Sequence, residues 1–231
     1  MSESVILMSG FALQGAIESD ILPIFERDTG ISIDARWAPT TLAVEALNRH
    51  AEVDVVVLAD DAIESLAVKG TVLLETIVAL ASATIGLGVR KGESKPDIST
   101  VDAFRASLLA ANSIAYSKAG ASGIYFEKLI ERLGIADAVR QKSVVIPSGY
   151  TGEQLINGEA DIAIQQISEL VVVPGVEVVG AFPDDVASVT GFSAAVVRSS
   201  RRREQSEQLI KTLSSPEAMT AYSRAGLTPR K

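Results

Sequence analysis

The stretch SKAGASGIYFEKLIERLG, residues 117–134, sets Ser117, Gly120, Ser122 and Gly123 directly ahead of Phe126, Leu129, Ile130 and Leu133 at helical spacing. Two kinds of chemistry suit such a stretch. Ser122 can act as a helix N-cap with Gly120 allowing the turn. Alternatively, the small residues form a cradle for an oxyanion, because a helix start leaves N–H groups unpaired and carries partial positive charge. Similar sets recur wherever a short apolar run gives way to a helical period: Ser9-Gly10, Pro39-Thr40-Thr41, Ala59-Asp60-Asp61, Ser148-Gly149-Tyr150 and Gln165-Gln166. Hydroxyls, amides and bare backbone predominate, and together they suit a small anion discriminated by geometry. The candidate ligand-binding residues are Ser9, Gly10, Thr40, Thr41, Asp60 and, further along, Ser117, Lys118, Ser122, Gly123, Tyr150, Gln165 and Gln166. Lys118 adds a cation to the cradle, and Arg36 and Arg90 are further cations suited to planar carboxylates.

Other chemistries are excluded. The 231 residues contain no cysteine, so thiol chemistry and thiolate metal sites are absent. A single histidine, His50, builds neither a histidine-based catalytic pair nor a multi-histidine metal site. No metal and no cofactor is expected. A net charge of −8 speaks against nucleic acid, and the basic run Arg201–Arg203 reads as a solvated helix start. No run approaches the ~18 apolar residues of a membrane helix, so no membrane insertion is expected. The chain enters a strand almost at once, which implies a periplasmic protein if an export signal was trimmed and a cytoplasmic one if Met1 is the native start.

The elements that must position these residues alternate from end to end. Strands are expected at 4–10, 31–37 and 53–59, separated by helices at 12–30, 40–50 and 61–70, with Gly30 as a C-cap. From about residue 77 a second alternating unit begins. Its strands are expected at 84–92, 113–117, 142–149, 161–166 and 176–183, and its helices at 98–111, along 117–134 and at 151–160. A stretch at 190–200 leads into two closing helices over 203–227. At 47% hydrophobic with only 5% aromatic residues, the core is aliphatic, as buried parallel strands require. The fold class is α/β, with two lobes, each a mostly parallel sheet flanked by helices, and a ligand cleft between them.

The order of segments resembles a known family. IESDILPIFERDTGISI after Ser-Gly, VDVVVLADDAIESLAVKGTV, INGEADIAIQQISEL and LIKTLSSPEAMTAYSRAGL are similar to successive segments of the molybdate-binding-like, type II periplasmic solute-binding proteins. The likeness spans essentially the whole chain. It implies that residues 1–80 and about 190–231 form one lobe and 81–189 the other. It also implies a ligand hydroxyl at Ser9, a second at Thr40 or Thr41, and a loop contact over Ser117 to Gly123. A tyrosine of that family is replaced by the region of Gln165 and Gln166; a glutamine both donates and accepts, which suits a carboxylate better than a fully ionised oxoanion.

Three functions fit. The first is an ABC-transporter-type binding protein that closes on a small anion, either an oxyanion or a small polycarboxylate, as a monomer that delivers to an ABC permease or a regulator. The second is an enzyme on the same scaffold, resembling aconitate isomerase and moving a double bond by proton transfer, with Lys118, Tyr150 or Asp60 as the base. The third, a LysR-type effector domain, ranks last because the strand beginning at Val5 leaves no room for a helix-turn-helix.

Overall fold

The computed structural model describes residues 4–230. Strand β1 (Val5–Ser9) opens the chain, with every residue buried. A helical stretch follows: a 3-10 turn at Phe11–Leu13, α1 (Gln14–Ala16), a π-turn at Ile17–Ile21, and α2 (Leu22–Thr29), which ends at Gly30 in the left-handed conformation. Next come β2 (Ile33–Trp37), α3 (Thr40–Asn48), β3 (Val55–Ala59), α4 (Asp60–Val68) and β4 (Val78–Arg90). The strand expected from 84 therefore begins at Val78, because its earlier residues have a partner strand that only the fold supplies.

The chain continues through α5 (Val101–Ala110), β5 (Ile114–Ser117), α6 (Ala121–Arg132), α7 (Ala136–Arg140), β6 (Ser143–Ile146) and α8 (Gly152–Ile156). After these come β7 (Ile162–Gln166), α9 (Ile167–Val171), β8 (Val176–Ala181) and β9 (Val189–Val196). The closing elements are α10 (Arg203–Leu213), α11 (Pro216–Arg224) and β10 (Thr228–Pro229). Two short helices, α7 and α9, lie where no helix is expected from periodicity, since five residues are too few to show one.

Two compact units result: Met1–Ala83 with Thr190–Lys231, and Thr84–Val189. In the first, β2-β1-β3 run parallel, while β9 lies antiparallel to β3 and β10 antiparallel to β4. Its core lies on both faces of this sheet. Phe25, Leu213 and Tyr222 fill one face, and Ile63, Leu66 and Val72 the other. The second unit pairs β6-β5-β7 in parallel, with β4 antiparallel to both β7 and β8. Phe104, Phe126, Leu129 and Phe182 fill its main core, and the Phe104 and Phe182 rings lie 4.6 Å apart. The fold is thus mixed α/β with mostly parallel strands and flanking helices. In each unit the parallel strands bring their carboxyl ends, where the candidate residues sit, to one edge.

Candidate anion site

In the second unit β5 ends at Ser117, and α6 starts after Gly120, which is the N-cap. Ser122 is therefore not the N-cap; it sits inside the first turn. No side chain caps α6, so the N–H groups of its first turn have no intrahelical acceptor. Ser117 and Ser122 are only 3% and 2% exposed. Among the described residues neither hydroxyl makes a hydrogen bond to the protein. Two hydroxyls therefore stand beside an uncapped helix start, a place where hydroxyl and backbone N–H donors lie together.

The glycines explain the geometry. A side chain at Gly123 would overlap the carbonyl oxygen of Ser117, so only glycine lets α6 begin against the end of β5. A Cβ at Gly120 would meet the Ser117 hydroxyl and lie 3.8 Å from that of Ser122, so both hydroxyls face the space beside Gly120. Gly123 is thus a packing residue first. Behind the cradle, Tyr116 donates to Glu127, whose carboxylate also holds Arg140 at 2.8 Å. This network ties α6 to β5 and α7. Burial and the Glu127 carboxylate push the Tyr116 phenol up to about 12.

The neighbouring junctions are joined to this one. The Lys118 N–H donates to the Ile146 carbonyl (2.8 Å), extending the β5–β6 pairing, while the Lys118 side chain is exposed. Gln165 is buried and holds the loop after β6: its Oε1 accepts from Thr151 N (2.7 Å) and Thr151 Oγ1 (2.9 Å), and its Nε2 donates to the Gly149 carbonyl (2.8 Å). Gln165 therefore positions Tyr150, itself half-buried on that loop. Gln166 is the N-cap of α9 and forms a capping box with Glu169. Glu169, Thr151 and Ser168 were not anticipated. Glu169 lies in the core, and burial pushes its carboxyl up to about 8 against the pull of the Gln166 N–H and the Gln165 amide. The capping-box spacing of Gln166 and Glu169 was the signal that could have found it.

In the first unit, Ser9 is fully buried and, among the described residues, its hydroxyl reaches only its neighbour's carbonyl, Gly10 O, at 3.2 Å. A Cβ at Gly10 would lie 4.0 Å from Thr40 Oγ1, so the junctions after β1 and β2 meet. Pro39 is the N-cap of α3, and Thr40 and Thr41 fall within its first turn, again with no side-chain cap. Asp60 opens α4, where its oxygens accept from Ser193 Oγ (2.7 Å) and from Arg230 Nη1 (2.5 Å). A carboxylate so committed holds two donors of its own unit.

The expected cations are used elsewhere. Arg36 pairs with Asp34 at 2.6 Å and donates to the Glu52 carbonyl. Arg90 donates through two nitrogens to the Leu155 carbonyl near the end of α8. Among the described residues no His, Cys, Asp and Glu cluster could hold a metal ion, and no helix is long and apolar enough to cross a membrane.

An α/β scaffold with strand-end hydroxyls and uncapped helix starts is the arrangement expected of a solute-binding protein. Residues 6–228 match the family model described as bacterial extracellular solute-binding protein, and the chain belongs to that family. A curated relative, an aconitate isomerase from Pseudomonas sp., is 34% identical over 98% of this chain and 88% of its own length. Among solved structures, the Azotobacter vinelandii periplasmic molybdate-binding protein superposes with a TM-score of 0.79 at 17% identity, covering 99% of this chain and 100% of that one. The sulfate-binding protein SubI of Mycobacterium tuberculosis H37Rv has a TM-score of 0.76 at 15% identity, covering 98% and 86%. The resemblance to solute-binding proteins thus holds for the family, and the likeness to the molybdate-binding protein for the fold.

Proposed function

We propose that the protein binds a small polycarboxylate anion of the aconitate class through Ser117, Ser122 and the α6 start. The observation that carries this reading is the uncapped N-terminus of α6 with the Ser117 and Ser122 hydroxyls facing the space beside Gly120. Neutral donors of this kind stabilise negative charge without a paired cation. Support for a carboxylate over an inorganic oxyanion comes from the full-length likeness to an aconitate isomerase, well above the 15–17% identity to the molybdate- and sulfate-binding proteins. In this reading the protein works outside the cytoplasm and hands its ligand to an ABC permease, in keeping with the family's description as extracellular.

The same relative favours a second reading, in which the bound anion is isomerised. Of the candidate bases, Asp60 is committed to Ser193 and Arg230, which leaves Lys118 and Tyr150 for proton transfer. One experiment serves both readings. Thermal unfolding is followed with cis-aconitate, trans-aconitate, citrate, molybdate and sulfate, and each aconitate sample is then examined by proton NMR for its isomer. Stabilisation by the polycarboxylates alone is expected, and stabilisation by molybdate alone would overturn the polycarboxylate reading. Interconversion of the isomers would establish the enzyme.

A further inference from the structure

Away from the strand-end junctions, the first unit contains a cavity of about 740 Å³ near the start of β3, the end of α4 and the segment between β9 and α10. Its lining includes Lys69, Arg198, Arg201 and Arg202, with His50, against two acids, Glu52 and Asp54. In a chain of net charge −8 this is a local reversal of sign.

The acids are accounted for. Asp54 is 2% exposed and accepts from Ile6 N (2.9 Å), Ser200 Oγ (2.6 Å) and Arg202 Nη1 (3.4 Å). Glu52 lies out at the rim, 3.8 Å from Arg202. Of the cations, only Arg202 is paired with them. Arg198 spends Nε on the Gly70 carbonyl at 2.7 Å, which fixes the guanidinium and leaves its terminal nitrogens available. Among the described residues the side chains of Lys69 and Arg201 make no hydrogen bond or ion pair, and the buried Nε of Arg202 has no partner. Cations often settle near helix C-termini, and α3 and α4 end here. That does not explain Arg201, which lies just ahead of α10, where a cation opposes the helix dipole, whereas Arg202 is held by Asp54. Residues placed against local helix preference point to another use.

We propose that this cavity binds a phosphate-bearing small molecule. Guanidinium forks match phosphate oxygens in pairs, and the Thr71 and Ser199 hydroxyls on the same wall have no protein partner among the described residues. The volume falls within the range of small-molecule sites.

His50, the chain's single histidine, lies in the cavity wall and gives one imidazole signal to watch by NMR. Titration of the full chain with inorganic phosphate is expected to move that signal saturably, whereas chloride at equal ionic strength leaves it in place. Combining Arg198→Glu with Arg201→Glu is expected to weaken the response at least about tenfold, while the response to aconitate is unchanged. Lys69→Glu, at an exposed helix end, repeats the test should the double variant fail to fold. An imidazole signal that does not respond to phosphate, or that responds equally in all variants, overturns the proposal. Sedimentation with anionic phospholipid vesicles, lost in the double variant, would overturn the small molecule in favour of a lipid headgroup.

Discussion

Among the described residues the Ser117 and Ser122 hydroxyls make no hydrogen bond to the protein, so removing them tests function apart from folding. Replacing both with alanine is expected to leave the thermal midpoint within a degree or two while weakening anion binding at least about tenfold by calorimetry, the cost of losing charge-assisted hydrogen bonds. Gly120→Ala places a methyl group where the two hydroxyls converge and is expected to abolish binding with the fold retained. Gly123→Ala acts on the fold itself. Its Cβ meets backbone rather than a movable side chain, so denaturant unfolding should show a loss of about 1–3 kcal/mol or more. A Gly123→Ala protein as stable as the parent would refute the close approach of α6 to β5. Glu169 gives the pH dependence. Its carboxyl titrates near 8 when folded and far lower when unfolded, so folding favours the protonated form. The stability it confers is complete below the unfolded value and is lost as pH rises through the folded one. Glu169→Gln is therefore expected to raise the thermal midpoint at pH 8 relative to the parent and to change it little at pH 4.

Helix starts differ according to their use. Thr100 caps α5 by accepting from Ala103 N at 3.1 Å, and Ser215 caps α11 by accepting from Ala218 N at 3.2 Å. Neither is a strand-end junction of the candidate site. The α3 and α6 starts, which are, have no side-chain cap. Thr100→Ala should thus cost about 1 kcal/mol of stability with no change in ligand affinity, the reverse of the Ser117 and Ser122 pattern. In the sequence the two settings look alike, because spacing shows that a serine or threonine stands near a helix start but not whether it stands at the N-cap or one turn in. That offset decides whether its oxygen satisfies the helix or faces outward.

At the scale of the whole molecule, ligand binding and folding are linked. An anion present at a hundred times its Kd adds about 2.7 kcal/mol of stability, a shift of several degrees for a chain of this size. The alternation of aliphatic strands and amphipathic helices, the charge balance and the order of family-like segments were legible in the sequence, because burial period and composition are local properties written along the chain. The sequence also marked the strand ends where ligand donors could lie. Only the tertiary structure decided which of those residues are free to bind. Arg36, Arg90 and Asp60 found partners 16, 65 and up to 170 positions away. Gln165 became the brace of a loop, and Ser117 and Ser122 were left without a partner. A polar side chain's availability depends on what the fold brings within hydrogen-bond reach of it, and separation along the chain carries no record of that distance.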